Sequence, residues 1–365
     1  MLGDLAGAAE AVRAAATVAA AREVVRGERV LVHDGRPLLD AGTTGEVAEP
    51  LDGEPTRFAA VDVGSNSVHL LVASVDDHRL DVVVDHSTFL GLGAAVAERG
   101  VLGGAARAEL IETLAAYIDI ARDQGARVVA LLGTEPIRRA ADAATIVAHV
   151  RSRARAPLFV LTHEEEALLT LLGVTEGMPV THETLVVDVG GGSSEFCTVG
   201  PSEPARAVGI RLGSATLTAA HVTEDPPGPD EIVAMRAAAI QAVAAAPAAN
   251  PGEIVAVGGT ASNLLKVSTA GHLDATLTRE RIAEVVTFLA AEPAEAAAAH
   301  HGINPRRARV LPAGAAILDA ILVRYGADDV RVSEASVREG AILALAHDRT
   351  AWRDRLGDLA RGWRA

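Results

Sequence analysis

Two short segments of the chain combine acidic residues with glycine and hydroxyl side chains in tight turns. The first, V-D-V-G-S-N-S-V-H-L-L-V, places Asp62 at the end of a β-branched run, ahead of Gly64, Ser65 and Asn66. Glycine lets backbone N–H groups approach an anion closely, serine and asparagine add donors, and the aspartate can hold a hydrated Mg²⁺. An ordinary hairpin with an Asx-type turn would look the same, so this segment alone does not distinguish the two.

The second segment, L-V-V-D-V-G-G-G-S-S-E-F, is harder to explain as a simple turn. Its polar and glycine positions are Asp188, Gly190, Gly191, Gly192, Ser193 and Glu195. Consecutive glycines cost conformational entropy, but they form a loop that can wrap a phosphate with main-chain donors. A flexible hairpin explains the glycines and leaves the carboxylates on both sides of the turn unexplained. We therefore interpret this segment as a phosphate and metal site.

Three further segments carry groups suited to phosphate chemistry. V-G-G-T-A-S-N opens a predicted helix at Gly258, and a helix N-terminus favours anions. L-T-H-E-E-E-A leads into a helix with three glutamates in its first turn, which the helix dipole alone explains; one of them facing a cleft could deprotonate water for in-line attack. Arg138 and Arg139 could clamp a phosphoryl group, although a solvated helix start explains Arg139 equally well. His300 and His301 lack carboxylates at ligand spacing, so we interpret them as surface histidines.

Short β-branched runs alternate with longer helical runs from Phe58 onward and must position these segments. We predict strands at residues 58–63, 68–74, 80–84, 127–132, 158–161, 185–189, 195–199, 205–210 and 253–257. We predict helices near residues 105–124, 141–153, 164–172, 229–246, 278–299, 312–325 and 335–347. The order is three strands followed by alternating helix and strand, and it occurs twice.

The repetition is visible in the residues themselves. The run V-D-V-G occurs around Asp62 and again around Asp188, and the glycine turn at Thr134 is repeated at Thr260. Positions 62 and 188, and positions 134 and 260, are each 126 residues apart. Two matches at one offset favour a duplicated βββαβα lobe. The sequence therefore predicts an α/β protein whose two lobes face each other across a cleft.

Composition limits the functions open to this chain of 365 residues. A formal net charge of −15 argues against general nucleic-acid binding, because counterion release needs a basic surface. An aromatic content of 2% excludes an aromatic platform for bases. The single cysteine, Cys197, excludes a disulfide framework. The N-terminus resembles neither a signal peptide nor a membrane span, so we expect a cytoplasmic protein without a membrane partner.

These residues together resemble the exopolyphosphatase and guanosine pentaphosphate phosphohydrolase (Ppx/GppA) family of the actin-like ATPase superfamily. The matching stretches are D-V-G-S-N-S-V-H-L-L-V, G-T-E-P-I-R-R-A, E-E-A-L, D-V-G-G-G-S-S-E-F, G-G-T-A-S-N and V-R-E-G-A. The resemblance implies two duplicated ribonuclease H-like lobes with an interdomain cleft. We assign lobe I to residues 57–180 and lobe II to residues 181–350, whose last helix could pack back on lobe I. Residues 1–56 would be a partly helical or disordered extension and residues 351–365 a tail.

The resemblance also implies roles for individual residues. Glu166 would be the catalytic base and Arg138 a phosphate contact, while Asp188 and Glu195 would hold phosphate and Mg²⁺ with Asp62 opposite. The phosphate-binding residues would be Gly64, Ser65, Asn66, Gly190, Gly191, Gly192, Ser193 and Gly258. Mg²⁺, or Mn²⁺ in its place, would serve removal of the terminal phosphate from inorganic polyphosphate, guanosine pentaphosphate or both. Family members tend to be dimers, so a homodimer is expected. The V-R-E-G-A stretch is interpreted as structural.

The chain departs from the family pattern in three places. It reads F-L-G-L-G, with Phe89 where members often have arginine, and G-G-T-A-S-N where G-x-x-G-T is commoner. It ends about 25 residues after Gly340, which predicts a short form without the C-terminal helical domain of long members. Two alternatives stay open: an ATP-dependent kinase of the same superfamily, and a non-catalytic sensor of polyphosphate or a guanosine alarmone.

Overall fold

The computed structural model describes residues 55–76, 79–154, 156–268, 275–349 and 351–362 of the chain. The predicted N-terminal extension lies, up to residue 54, outside the described residues. Among the described helices, none combines the length and the apolar run that a membrane span requires.

The first half of the described chain forms a five-stranded sheet. Its strands are β1 (Arg57–Val63), β2 (Ser67–Asp76), β3 (Arg79–Phe89), β4 (Ala126–Gly133) and β5 (Leu158–Val160), in the order β3-β2-β1-β4-β5. Its helices are α1 (Leu92–Arg99), α2 (Gly104–Asp123), α3 (Glu135–Arg139), α4 (Ala143–Arg153) and α5 (His163–Thr175). Strand β1 is apolar and buried from Phe58 to Val61 because it runs between an antiparallel β2 and a parallel β4 at the centre of the sheet.

The second half forms a six-stranded sheet. Its strands are β6 (Thr184–Val189), β7 (Ser194–Val199), β8 (Arg206–Ile210), β9 (Glu253–Val257), β10 (Thr276–Thr278) and β11 (Asp329–Val332), in the order β10-β11-β9-β6-β7-β8. Its helices are α6 (Ser214–His221), α7 (Pro229–Val243), α8 (Gly258–Val267), α9 (Arg279–Ala291), α10 (Ala294–His301), α11 (Pro305–Tyr325), α12 (Val337–His347) and α13 (Leu356–Leu359).

The two sheets share one topology. The order β8-β7-β6-β9-β11 reproduces β3-β2-β1-β4-β5, with the same antiparallel and parallel pairings around the central strand, and β10 is an added antiparallel edge. The prediction of an α/β fold with two duplicated lobes is therefore confirmed.

Two predicted helices were wrong at their boundaries. The helix predicted at 278–299 is interrupted at Pro293, where α9 has ended and α10 begins, because proline lacks the N–H that would continue the ladder. The helix predicted from residue 312 begins seven residues earlier, at Pro305, with Asn304 as its N-cap and Pro312 inside it. Short elements such as α1, α6, β10 and β11 escaped prediction because each offers too few residues to show a period.

Helices α5 and α12 lie between the two sheets, and each packs against the sheet of the other half. Helix α5, which follows β5 of the first sheet, contacts β6, β7 and β8 of the second, and α12, which follows β11, contacts β1 and β2 of the first. Their buried residues form one apolar core with residues of both sheets. The two helices cross closely at paired glycines, since a Cβ on Gly173 would lie 2.5 Å from the Ser336 carbonyl oxygen and one on Gly340 would overlap the Leu169 carbonyl group.

Candidate active site

The two aspartate-glycine hairpins have the same backbone geometry. In the first, the N–H of Gly64 donates to the Ser67 carbonyl at 3.0 Å; in the second, the N–H of Gly190 donates to the Ser193 carbonyl at 3.0 Å. Both donors and both acceptors are related by the offset found in the sequence. The duplication therefore extends to the hydrogen bond that shapes each turn.

Each hairpin pairs its aspartate with an ionisable residue on the neighbouring strand. Asp62 lies opposite His69, and Asp188 lies opposite Glu195. His69 thus occupies in the first lobe the position that Glu195 holds in the second, and sequence reasoning missed it although the repeat offset identifies it. Burial, and then the nearby Arg338, lower the pKa of His69 to about 4, so its imidazole is neutral at pH 7.

The two hairpins touch across the cleft. A Cβ on Gly191 would lie 2.9 Å from the side-chain nitrogen of Asn66, and one on Gly192 would overlap the carboxylate of Glu135. Ser65 Oγ in turn donates to Glu135 Oε2 at 2.6 Å. The second loop needs its glycines because the first lobe leaves no room for a side chain there.

Glu135 is a second residue that sequence reasoning missed. Its buried carboxylate accepts from Ser65 and, through Oε1, from Arg139 Nη1 at 2.6 Å. Arg139 is therefore the half-buried partner of Glu135, and its alternative interpretation as a solvated helix start is wrong. The available signal was position, since Glu135 begins a helix directly after the Gly133–Thr134 turn at the end of β4.

Arg138 connects the predicted catalytic residues. Its Nη1 donates to Glu166 Oε2 at 2.9 Å and to the Leu161 carbonyl at 2.8 Å, and its Nη2 lies 3.0 Å from His163 Nδ1. Burial, followed by repulsion from Glu195, raises the pKa of Glu166 well above its ordinary value, while Arg138 opposes that rise. The arrangement gives a buried carboxyl group that can exchange a proton at the cleft.

Glu166 is the one glutamate of its run that is buried at the cleft. Glu164 is exposed. Glu165 closes the capping box with Thr162 and pairs with Arg353 from the C-terminal segment. The helix dipole explains the run as a whole, but only the third member has the surroundings of a site residue.

Glu195 is fixed from two sides. Its Oε1 accepts from Ser193 Oγ at 2.8 Å and lies 2.7 Å from His163 Nδ1. The side chains of His163, Glu166 and Glu195 bring three potential ligand atoms within 4.8 Å of one another. The Arg138 guanidinium lies among them, 3.7 Å from Glu195 Oε1. These three atoms surround the Arg138 side chain and would not share one metal ion, because that ion would face the positive charge of Arg138.

Asp62 and Asp188 have the properties of a cation site. Asp62 Oδ1 is buried and has no hydrogen-bond partner among the described residues, and burial raises the pKa of Asp62 from 3.8 to about 7. Burial, then Glu195 and Asp62, raise the pKa of Asp188 well above its ordinary value. Buried carboxylates short of positive charge are costly. Their oxygen ligands fit Mg²⁺, so the residues present suit the predicted metal.

The third glycine loop reaches the same place. Gly258 begins α8 in a left-handed conformation (φ +81°), and a Cβ there would lie 2.5 Å from Asp188 Oδ1. The N-terminus of a ten-residue helix therefore points toward the Asp188 side of the cleft, where its N–H groups favour an anion.

Two arginines at the start of α11 reach the first lobe, and neither belongs to a motif that the sequence analysis recognised. Arg307 Nη2 donates to Ser67 Oγ at 3.3 Å, and the same guanidinium lies against Gly259 and is attracted by Asp188. The Arg306 guanidinium lies 4.9 Å from the centre of the Phe89 ring. The second lobe thus supplies cationic groups beside the position where family members often have a basic residue.

The residues predicted for the site converge on this cleft, whereas His300 and His301 lie apart at the end of α10. The interpretation of His300 as a surface histidine is confirmed, since 67% of its side chain is exposed, and its Nδ1 lies 2.8 Å from Oε1 of Glu292, eight residues earlier. It is an exposed pair in which both groups remain in water.

Duplicated α/β lobes with two strand-turn-strand loops facing an acid-lined cleft define a member of the actin-like ATPase superfamily. A model of the Ppx/GppA phosphatase family matches residues 71–349. The chain belongs to the Ppx/GppA phosphatase family, as its motifs predicted.

Individual relatives agree with this assignment. Exopolyphosphatase 1 of Mycobacterium tuberculosis is 28% identical over 302 residues, covering 79% of this chain and 87% of that protein. The crystal structure of the Aquifex aeolicus Ppx/GppA family member has a TM-score of 0.70 at 25% identity and covers 80% of this chain and 98% of its own. An exopolyphosphatase from Cytophaga hutchinsonii has a TM-score of 0.73 at 21% identity, covering 81% and 99%, and shows the same fold.

Proposed function

We propose that this chain is a Mg²⁺-dependent exopolyphosphatase, which removes the terminal phosphate of inorganic polyphosphate by hydrolysis. The observation that carries the proposal is the convergence of both aspartate-glycine hairpins and Glu166 on one cleft. The name exopolyphosphatase 1 of the curated mycobacterial relatives supports the choice of substrate. Guanosine pentaphosphate is a second substrate that the family resemblance suggests.

The loops of both lobes supply the groups that bind the substrate. Free backbone N–H groups of the two glycine turns and of the α8 N-terminus would bind phosphate oxygens, and Arg307 adds a cation. Asp62, Asp188 and Glu195 would hold Mg²⁺, which when bound neutralises phosphate charge. Phosphoryl transfer depends mainly on such positioning and electrostatic stabilisation.

Glu166 would take the proton of the attacking water. The water oxygen forms a bond to the terminal phosphorus, the bond from that phosphorus to its bridging oxygen breaks, and the bridging oxygen leaves with the shortened chain. Arg138 holds the Glu166 carboxylate by a hydrogen bond and stabilises its ionised form. The raised pKa of Glu166 makes it a stronger base than an exposed glutamate.

Asp62, whose Oδ1 is buried, predicts a pH-dependent stability in metal-free protein. A carboxyl whose pKa rises on folding binds its proton more tightly when folded, so the wild type should lose stability as pH rises from about 4 to about 7. Asp62→Asn lacks this titration, so the stability of the variant should increase relative to that of the wild type as pH rises through this range. Urea midpoints at pH 5 and pH 8 in EDTA measure the difference. The same pH dependence in both proteins would contradict this prediction. Saturating Mg²⁺ at pH 8 should raise the urea midpoint of the wild type more than that of the variant.

A phosphate-release assay tests the proposed function. The purified chain is given polyphosphate of short and long length, guanosine pentaphosphate and ATP, each with Mg²⁺ or with EDTA. We expect Mg²⁺-dependent release of inorganic phosphate from polyphosphate. Transfer from ATP to an acceptor without release to water would identify the kinase alternative, and tight binding of polyphosphate without turnover would identify the sensor. Either result would refute the exopolyphosphatase.

A further inference from the structure

His163 is an ionisable residue at the cleft to which no role has been assigned so far. It is the first residue of α5 and is part-buried, with 33% of its side chain exposed. Its ring lies against the backbone of β8 at Gly209, where any Cβ would overlap the imidazole. A residue that follows β5 of the first sheet therefore reaches β7 and β8 of the second, and a glycine makes room for it.

The position of Nδ1 fixes the imidazole tautomer. This nitrogen lies 2.7 Å from Glu195 Oε1 and 3.0 Å from Arg138 Nη2. A guanidinium can only donate and a carboxylate can only accept, so Nδ1 can satisfy one neighbour and not both. The contact to Glu195 is the shorter one, and Arg138 already donates to Glu166 and Leu161 through Nη1. The shorter contact therefore assigns the proton to Nδ1, whose N–H donates a hydrogen bond to Glu195 Oε1.

This donation determines which oxygen of Glu195 is occupied. Ser193 Oγ also donates to Oε1, so both hydrogen bonds to this carboxylate end on the same atom. Among the described residues, no hydrogen bond reaches Oε2. Two donors arriving from different parts of the chain prevent the carboxylate from rotating, and they leave Oε2 as the oxygen for a ligand in the cleft.

We propose that His163 is a positioning residue for the cation site: by holding Oε1 of Glu195, it presents Oε2 to a divalent cation shared with Asp188. The proposal rests on the proposed function for the identity of that cation site. Hydrogen bonds that orient a metal-ligating carboxylate are commonly worth 10- to 100-fold in metal affinity. A ring that only fills the space over Gly209 would have no such effect.

Three substitutions separate the hydrogen bond from the packing. The amide of His163→Asn places an N–H donor near the position of Nδ1, whereas His163→Leu has nearly the same shape as asparagine and no donor. His163→Gln carries its amide farther out, near the position of Nε2. A packing role predicts that asparagine and leucine behave alike, and a positioning role predicts that they differ.

The experiment measures Mn²⁺ binding to the full chain without substrate, by titration calorimetry and by the loss of the free Mn²⁺ signal in electron spin resonance. We expect His163→Leu and His163→Gln to weaken Mn²⁺ binding about tenfold or more, and His163→Asn to stay within about threefold of the wild type. Equal binding by all variants, or equal loss in asparagine and leucine, would overturn the proposal. If His163→Leu does not fold, the comparison of asparagine with glutamine decides.

The readout distinguishes this proposal from the proposed function. Wild-type protein that binds Mn²⁺ in a His163-dependent manner but releases no phosphate would refute the exopolyphosphatase and leave the positioning role intact. Phosphate release that needs Mg²⁺, together with Mn²⁺ binding and phosphate release that are unchanged in His163→Leu, would support the exopolyphosphatase and refute the positioning role. A wild type that binds no Mn²⁺ would refute the cation site and with it the role of His163.

Discussion

Glu166→Gln should lower phosphate release from polyphosphate by about 10²- to 10⁴-fold, the range that loss of a general base produces. Glutamine keeps the size of the side chain and can still accept from Arg138, but its amide cannot take a proton from water. We therefore expect polyphosphate binding to stay within severalfold of the wild type. Initial rates of phosphate release and calorimetric titration with a short polyphosphate measure the two effects separately.

The neighbouring Glu164 provides a matched control for this prediction. It lies two residues earlier in the same turn of α5 and is exposed, so Glu164→Gln removes a similar charge near the same helix end. Its rate should remain close to the wild type. Equal losses in the two variants would trace the effect to helix electrostatics and remove Glu166 from its role as base.

Gly340→Ala should destabilise the protein by about 3 kcal/mol or more, near the upper end of the usual cost of overpacking. The new methyl group would overlap the Leu169 carbonyl of α5, and a backbone atom cannot move aside as a flexible side chain can. Helix α5 is itself held between α12 and the second sheet. The midpoint of urea unfolding, followed by circular dichroism, measures the loss.

Gly104→Ala is the control for the glycine substitution. Gly104 is the first residue of α2, and a Cβ there meets no atom within 4 Å. Alanine is the better helix former, so this variant should be neutral or slightly more stable. A Gly340→Ala midpoint equal to that of Gly104→Ala would show that the crossing of α5 and α12 tolerates a wider separation.

The core of the site was predictable because it lies in local patterns that occur twice. Each hairpin carries its own aspartate, glycine and serine within a few residues, and the common offset showed that the two belong to equivalent positions of one fold. The sheet order follows from the same duplication. Convergence of Asp62 and Asp188 on one cleft was therefore a consequence of the repeat, without knowledge of any side-chain contact.

The missed residues depend on contacts between distant parts of the chain. Glu135 is defined by Ser65, Arg307 by Ser67 and Asp188, and His163 by Glu195 and Gly209, and no spacing along the sequence reports such pairs. Arg307 was also hidden by a wrong helix boundary. Pro305 and Pro312 are both acceptable at a helix start, and the periodicity did not show which of them begins α11.

The packing of α5 and α12 against the opposite sheets limits how the two halves of the molecule can separate. Where these helices pack, the two sheets share one continuous apolar core. Separating the two halves there would expose that core to water. At the cleft the two halves also meet through polar contacts, among them the Arg307–Ser67 hydrogen bond and the Arg306–Phe89 stacking, which are worth about 1 kcal/mol each. We therefore expect the two halves to separate at the cleft on a timescale of microseconds to milliseconds, while the apolar core shared by the two sheets stays packed.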